Sequence, residues 1–285
     1  MLSISGVFII FTMVFGGYIL AGGKIAIILQ ASPFELMIIL GAACGALLIS
    51  GDKKSLISIA NDFALIFKGK KWKEGDYTNL LCLLFALTKV AKQNPVQLEE
   101  HIENPNNSEI FSKFPKLLKD KECTNLICDT FRSASMNYDN PNQVEDTLDK
   151  RIMTHFEKEM MSTHALQSTA DALPALGIVA AVLGVIKTMA SIDQPPEILG
   201  KMIGGALVGT FLGVFIAYGI VAPFAQKIKH IKNEDMHFIK VIREVLVAHL
   251  HQHPANISVE VGRQSTPEHL RPSYDKLENA VKLSR

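Results

Sequence analysis

Three alternating histidines near the carboxyl end of the chain, His249, His251 and His253, are the residues whose type and spacing first suggest metal chemistry. Imidazole nitrogens are common ligands of transition metals. Residues two positions apart do not share one face of a helix, however, and no carboxylate or cysteine pattern completes a site around them. The sequence therefore predicts no metal ion and no other cofactor.

The chain also lacks a pattern for nucleophilic or hydrolytic chemistry. Of its four cysteines, Cys123 and Cys128 have the wrong spacing for a zinc knuckle, and no second cysteine pair follows them. We interpret all four as unpaired thiols in a reducing cytoplasm. The sequence contains no Ser/His/Asp arrangement, HExxH motif or phosphate-binding loop. We therefore predict that the protein is not an enzyme.

Two prolines and a threonine lie within apolar sequence, where they suggest ion movement rather than catalysis. Pro174 and Pro223 lie at matching ends of two apolar stretches, and each removes a backbone hydrogen bond or bends its helix. They either mark helix ends or act as flexible joints. Thr210 either bonds back to its own helix or faces a pore. Ala181 lies two turns beyond Pro174, on nearly the same helix face.

Four long apolar stretches must position these residues, and each is near the ~20 residues that a membrane-spanning helix needs. They are Leu2–Ala21, which we read as a retained span, Phe34–Ser50, Leu173–Met189 and Met202–Ala222. Short turns near Gly22–Pro33 and Ala190–Lys201 join them in pairs. No stretch contains a carboxylate deep in its interior. The sequence thus predicts that another polypeptide supplies the ionisable group for any proton transport.

Small residues recur along the last two stretches. In the fourth stretch, small residues recur every four positions and form one ridge: Gly205, Gly209, Gly213 and Ala217. The third stretch has a similar set: Gly177, Ala180, Ala181 and Gly184. Such ridges let helix backbones approach closely in a membrane. They are explained either by tight packing alone or by packing in a bundle that also moves ions.

Charge is balanced overall but uneven along the chain. There are 29 basic and 28 acidic residues, which argues against nucleic acid as a main partner. Basic residues close to the spans are more numerous on the side of the long polar loop than on the short turns, so this loop and both termini are predicted to be cytoplasmic. Those on the long-loop side are Lys53, Lys54, Lys227, Lys229 and Lys232. Those on or near the short turns are Lys24, Lys187 and Lys201.

The predicted fold class is an all-α, multi-pass membrane protein with a helical cytoplasmic domain. Residues 1–50 carry spans one and two, 51–170 form the cytoplasmic domain, 171–224 carry spans three and four, and 225–285 form a cytoplasmic helix and tail. Strand-like alternation is scarce.

Several features support helices in the cytoplasmic part. Tyr77–Ala91 has an apolar helical stripe. Asn94 is a predicted N-cap with Pro95 in the first helical position, and Asn104–Pro105 ends that helix. Further helices are predicted at Glu109–Leu118, Thr124–Ser135 and Gln143–Thr169, with a loop at Asn137–Asn142 and a loosely ordered tail from about Gln264.

Several segments, in order and with matching spacing, resemble the MotA family of bacterial flagellar motor stator proteins. They are VFGGY (Val14–Tyr18), HIENP (His101–Pro105), DALPALGIVAAVLGVIKTM (Asp171–Met189), VGTFLG (Val208–Gly213) and VEVGR (Val259–Arg263). The resemblance implies an inner-membrane ring of five copies around two MotB chains, each with a proton-accepting Asp and a peptidoglycan-binding domain. Proton flow would turn this ring against the rotor protein FliG.

The resemblance also implies roles for single residues. Pro174 and Pro223 match the family prolines associated with coupling ion flow to motion, and Thr210 matches its channel-side threonine. Sodium-driven relatives similar to PomA carry a threonine at the position of Ala181, so alanine implies that H⁺ is the coupling ion.

Glu99 matches the acidic residue that faces FliG, and Lys92 is taken as its basic counterpart because Ala91 stands where relatives usually have arginine. From the residues alone, Lys92 and Glu99 are better explained as solvated surface charges than as rotor contacts. Two alternatives stay open for the whole chain. One is an energiser of another envelope process, as in the distantly similar TolQ and ExbB, which have three spans. The other is a membrane scaffold that conducts nothing.

Overall fold

The computed structural model describes residues 2–51, 53–136 and 140–283, and all regular structure within these ranges is helical. The chain divides into two compact units. The first unit comprises Met1–Gly69 and Glu159–Ile231, and the second comprises Lys70–Lys158 and Lys232–Arg285. The all-α prediction is confirmed for the described residues.

The first unit contains the apolar helices. Its elements are α1 (Leu2–Leu20), α2 (Ile25–Ser50), α3 (Lys53–Lys68), the later part of α9 (Pro141–Met189), α10 (Pro196–Ile216), a π-helical segment (Ala217–Val221) and the first part of α11 (Ala222–Leu250). Among the described residues, four helical runs are long and apolar enough to cross a membrane, which confirms the predicted number of spans. They are Ser3–Leu20, Ile25–Ser50, Pro141–Met189 and the continuous run Pro196–Leu250.

The predicted start of the second span was wrong. Helix α2 begins at Ile25, so Pro33 lies inside the helix rather than in the preceding turn. Beside the hydrogen bond that proline removes, Ser32 Oγ donates to the carbonyl of Ile28 at 2.6 Å. The carbonyl freed by Pro33 is that of Leu29, so this bond does not replace the lost one, and spanning helices nevertheless tolerate proline. The connection between α9 and α10 is likewise shorter than predicted, because α10 begins at Pro196 rather than beyond Lys201.

Two prolines that could have marked helix ends lie within continuous helical runs. Pro174 lies inside α9, which joins the predicted Gln143–Thr169 helix to the third span. Pro223 is the second residue of α11, directly after the π segment. In this π segment the N–H of Ala222 donates to the carbonyl of Ala217, five residues back. The helix-end interpretation of both prolines is therefore wrong.

The small-residue ridges of α9 and α10 pack directly against each other. A β-carbon added to Gly177 would lie 2.9 Å from Gly213 Cα, and one added to Gly213 would lie 2.8 Å from Gly177 Cα. Around this crossing lie buried apolar residues from α2, α9 and α10, together with one from the π segment. They are Ile39, Ala43, Leu173, Ala180, Val208, Leu212 and Ala217.

The second unit has its own apolar core. Its elements are the first part of α9, the later part of α11, α4 (Glu74–Gln93), α5 (Pro95–Glu103), α6 (Glu109–Ser112), α7 (Pro115–Lys119), α8 (Lys121–Met136), α12 (Ala255–Gln264), α13 (Tyr274–Leu283) and 3₁₀ turns at Pro105–Asn107 and Glu268–Leu270. Helix α4 lies at its centre, where Leu80, Leu83, Leu84 and Leu87 are fully buried. The predicted helix is confirmed and its apolar stripe is buried, but Leu81, Cys82 and Phe85 on the other faces are buried as well.

The predicted first and last residues of helix α5 are also confirmed. Asn94 Oδ1 accepts from the Gln97 N–H at 3.2 Å, and Pro95 opens the helix. The helix ends at Glu103, with Asn104 as its cap. The predicted Thr124–Ser135 helix is α8.

Other predicted boundaries in the second unit need correction. The single helix predicted at Glu109–Leu118 is two short helices, because Pro115 starts a new one. In the predicted Asn137–Asn142 loop, residues 137–139 lie outside the described residues and α9 begins at Pro141.

The prediction of a loose tail from Gln264 was wrong. Helix α13 buries Leu277 and Val281 in the core that contains α4. Arg263 Nη1 donates to the Pro272 carbonyl at 3.1 Å, and Lys276 Nζ pairs with Glu74 Oε1 at 2.5 Å. Apolar residues four positions apart give even a short segment one buried stripe.

Candidate ion-coupling site

The most unusual polar group in the first unit is the carboxyl group of Glu35. It is the eleventh residue of α2, about 15 Å along the helix from its start at 1.5 Å per residue. The side chain is 8% exposed, and the buried atom Oε2 has no hydrogen-bond partner among the described residues. The expectation that no span carries an internal carboxylate is therefore wrong.

Three helices meet at this carboxyl group. A β-carbon on Gly209 of α10 would lie 2.5 Å from Glu35 Oε2. The same β-carbon would lie 3.1 Å from Ala180 Cβ and 3.1 Å from Ala181 N in α9. The absence of a side chain at Gly209 thus provides the space in which the Glu35 carboxyl group packs between α9 and α10.

A cleft of about 990 Å³ extends from Glu35 toward the ends of these helices. Apolar side chains such as Ile38 and Leu183 line part of its wall. Its polar lining consists of Lys24, Gln30, Lys187, Thr188, Glu197 and Lys201. The cleft therefore joins a single buried carboxyl group to charged side chains near the α1–α2 and α9–α10 connections.

Two of the predicted channel residues lie at this crossing. Ala181 is 9% exposed, and its backbone nitrogen faces Gly209. Thr210 follows Gly209 in α10 and is half-buried. Ala181 thus lies beside the contact between Gly209 and Glu35, and Thr210 is the next residue of α10; the sequence interpretation did not include Glu35.

The two predicted coupling prolines lie elsewhere along the same helical runs. Pro174 is half-buried and precedes Ala181 by two turns of α9. Pro223 is exposed and follows the π segment. A π segment is a local widening of a helix that is frequently found at functional positions.

The two predicted rotor-facing residues lie in the second unit and differ in their contacts. Lys92 Nζ donates to the carbonyls of Gln252 at 3.0 Å and His253 at 2.6 Å, just beyond the end of α11. Lys92 thus satisfies two carbonyls of the short connection between α11 and α12. Glu99 is exposed on α5 and forms no hydrogen bond or ion pair with another described residue.

The three alternating histidines have three different environments. Burial, with a smaller contribution from Lys92, lowers the pKa of His249 to about 4. His251 Nε2 lies 3.2 Å from Glu145 Oε2, and the backbone of His253 accepts from Lys92. Among the described residues, no group of three or more His, Cys, Asp or Glu side chains could hold a metal ion.

Glu35 could have been found from the sequence. The residues from Ile25 to Ser50 are apolar apart from Gln30, Ser32, Glu35 and the terminal Ser50. Reading Pro33 as a turn residue divided this run and placed Glu35 at the edge of the span. Because proline is tolerated inside spanning helices, the continuity of the apolar run was the better signal.

Comparison with protein families matches two parts of the chain. Residues 4–95 match the model for the motility protein A N-terminal region, and residues 119–240 match the model for the MotA/TolQ/ExbB proton channel family. Together with the four apolar helices, these matches define the class of the protein as a helical membrane proton channel subunit.

Similarity to individual proteins extends over nearly the whole chain. The chain is 35% identical to motility protein A of Salmonella typhimurium over 286 residues, which covers 100% of this chain and 96% of the relative. It is 34% identical to motility protein A of Escherichia coli, covering 99% of this chain and 95% of that one. The chain belongs to the motility protein A family.

Solved structures show the same fold. The MotAB structure from C. jejuni aligns with a TM-score of 0.73 at 18% identity and covers 95% of this chain and 98% of that chain. The flagellar MotAB stator complex from Bacillus subtilis aligns with a TM-score of 0.70 at 18% identity, with the same coverage.

Proposed function

We propose that this protein is a flagellar motor stator subunit that, with a MotB-type partner, forms a proton-conducting complex and converts proton motive force into flagellar rotation. The observation that carries this proposal is the end-to-end similarity to motility protein A, in a chain with four apolar helices. No catalytic step or cofactor is part of the proposal, and H⁺ is the coupling ion.

The proposed assembly is a ring of five copies around two copies of the partner in the bacterial inner membrane. The solved relatives are described as MotAB complexes, which supports a partner of that kind for this chain. The excess of lysine near the ends of α2 and in α11 supports cytoplasmic termini and a cytoplasmic second unit. In this orientation the second unit meets FliG of the rotor.

Within this assembly, the crossing of α2, α9 and α10 belongs to the ion path. Ala181 and Thr210 contribute its channel-side surface, and Pro174 and Pro223 transmit ion movement to the cytoplasmic residues. The close backbone contact between Gly177 and Gly213 supports a packed unit that moves as a whole. Moving one charge across 100 mV supplies about 2.3 kcal/mol for this motion.

Contact with the rotor is proposed to involve Lys92 and Glu99. An exposed ion pair contributes only about 0–1 kcal/mol, so each rotor contact can be released as readily as it forms. The unpaired Glu99 side chain fits this role directly. Lys92 fits it less directly, because contact with FliG competes with its bonds to the end of α11.

Complementation tests the proposal. The full chain and a MotB-type partner are expressed in a motile bacterium that lacks its own stators, and swimming is measured by video tracking. We expect swimming to be restored by the wild-type chain and strongly reduced by Pro174→Ala. Failure of the wild-type pair to restore swimming, with both proteins present in the membrane, would contradict the stator assignment.

A second candidate function is energising another envelope process. The family model that matches residues 119–240 also covers TolQ and ExbB, which favours this alternative over other membrane functions. The two functions differ in the partner they require. Restored envelope integrity with a TolR- or ExbD-type partner, without restored swimming, would support the alternative.

A further inference from the structure

We propose that Glu35 is a proton-relay residue in the ion path, so that this chain supplies one titrating carboxyl group of its own. The inference rests on the proposed stator function and on the orientation that places the α1–α2 and α9–α10 connections outside the cytoplasm. In the relay, the Glu35 carboxylate accepts one proton from a hydronium ion in the cleft, which leaves a neutral water molecule. The resulting carboxylic acid then donates that proton to a carboxylate of the partner's span.

The first observation behind the relay is the environment of the carboxyl group. Glu35 lies well inside an apolar helix, is 8% exposed, and leaves Oε2 without a hydrogen-bond donor among the described residues. An isolated carboxylate in such a place costs several kcal/mol, so intramembrane carboxylates generally serve ion or proton pathways. A residue needed only for packing would not need an ionisable group.

The second observation is access from one side. The cleft of about 990 Å³ reaches Glu35 and has polar side chains along its length. The charged groups that face it are Lys24 before α2, Lys187 of α9, and Glu197 and Lys201 of α10. Helix α1, which also packs near α2, contributes no charged residue. Glu35 thus lines the same cleft as three cations and one further carboxylate.

The third observation is the position of Glu35 relative to the predicted channel surface. Its carboxyl group lies against Gly209, directly before Thr210, and Gly209 in turn faces Ala180 and Ala181. Glu35 therefore lines the cleft and, through Gly209, also adjoins Ala181, which the family resemblance assigns to the ion path. A proton entering through the cleft would meet Glu35 before a carboxylate of the partner.

The Glu35→Gln substitution distinguishes a proton relay from a role in packing alone. Glu35→Gln has nearly the shape and polarity of the protonated acid but cannot accept and release a proton. With the MotB-type partner, we expect it to lower swimming speed and proton flux into vesicles by about tenfold or more. Glu35→Asp keeps a carboxyl group, so it should retain part of the swimming speed and of the proton flux. The dependence of these two quantities on external pH should change.

The matched control is Asp193→Asn, which removes an exposed carboxylate from the α9–α10 connection without touching the cleft. It should behave like the wild type. Membrane levels of every variant are compared by immunoblotting. Full activity of Glu35→Gln, in cells where the wild type restores swimming, would overturn the relay and leave the stator function standing.

Infrared difference spectroscopy gives a readout that does not depend on motility. The purified full-chain complex is titrated with acid, and the stretching band of a protonated carboxylic acid is compared between wild type and Glu35→Gln. A band that titrates in the wild type and is missing in the variant supports the relay. Identical spectra would overturn it, even if the wild-type complex failed to drive swimming.

Discussion

At the scale of single residues, the second unit shows how burial separates residues of one type. His249, His251 and His253 alternate along the sequence, yet only His249 is largely enclosed, with its ring 5.6 Å from that of Phe131. Burial lowers its pKa to about 4, so it is neutral in the folded protein at physiological pH. The histidine cluster is therefore not one functional group but three separately placed side chains.

This burial predicts acid sensitivity of the second unit. The folded-state pKa of His249, about 4, is below the ordinary value of 6.5, so the unfolded chain binds more protons between these values. Stability is thus complete above about pH 6.5 and falls as the pH drops toward 4, by up to about 3 kcal/mol. His249→Phe should reduce this loss.

The measurement uses the single tryptophan. Trp72 stacks on Phe238 at 4.0 Å in the core of the second unit, so its fluorescence during urea unfolding reports on that unit. The control is His253→Phe, because the His253 side chain is exposed. An unchanged pH dependence in His249→Phe would show that other groups cause the acid sensitivity.

Lys92 carries a second prediction at this scale. Because its Nζ bonds two carbonyls beyond α11, Lys92→Ala should lower the free energy of unfolding of the second unit by about 0.5–1 kcal/mol. Glu99→Gln, which breaks no contact with a described residue, should change it by less than about 0.5 kcal/mol. Urea unfolding followed by Trp72 fluorescence compares them. Equal stability of both variants would contradict a stabilising role for the bonds of Lys92 to these carbonyls.

At the scale of helices, the contact between α2, α9 and α10 depends on one missing side chain. Gly209 faces Glu35 on one side and Ala180 with Ala181 on the other. The ridge of small residues therefore does more than bring two helices together, because it also provides space for a carboxyl group. Under the proposed relay, packing and ion coupling, which the sequence left as alternatives for these glycines, both depend on Gly209.

Gly209→Ala tests this contact. Its new methyl group would lie 2.5 Å from Glu35 Oε2 and 3.1 Å from Ala180 Cβ, so a helix or the carboxyl group must move. We expect a loss of about 1–3 kcal/mol in stability and a marked loss of swimming. Gly41→Ala in α2 is the control, since nothing lies within 4 Å of its added carbon. Thermal unfolding of the purified complex makes the comparison, and equal melting of both variants would contradict the close contact.

At the scale of the whole molecule, the proposed activity depends on which ion crosses. Ala181 provides no hydroxyl to coordinate sodium at the crossing, and Glu35 provides a carboxyl group that can carry a proton. Swimming speed should therefore follow proton motive force and be independent of external sodium. Tracking cells at fixed proton motive force while sodium is replaced by potassium is the measurement. Speed that falls with sodium would contradict proton coupling.

Much of this molecule follows from local sequence alone. The number of spans, the all-helical class, the apolar stripe of α4 and the Asn94–Pro95 helix start depend on hydropathy, periodicity and capping. These are properties of neighbouring residues, so the amino-acid sequence was sufficient to predict them. Ala181, Thr210 and the two prolines were noted from the apolar sequence, their roles came from resemblance to a family, and these roles stay predictions.

Only the tertiary structure decided which residues meet. Pro33 and Pro223 lie within continuous helical runs, and Pro223 follows a π segment that its local sequence did not predict. The segment after Gln264 is ordered because Leu277 and Val281 find a core far away in sequence. Glu35 became a candidate for ion coupling because α9 and α10 enclose its carboxyl group. Burial and electrostatic environment depend on distant chain segments coming together, and hydropathy along the chain does not contain that information.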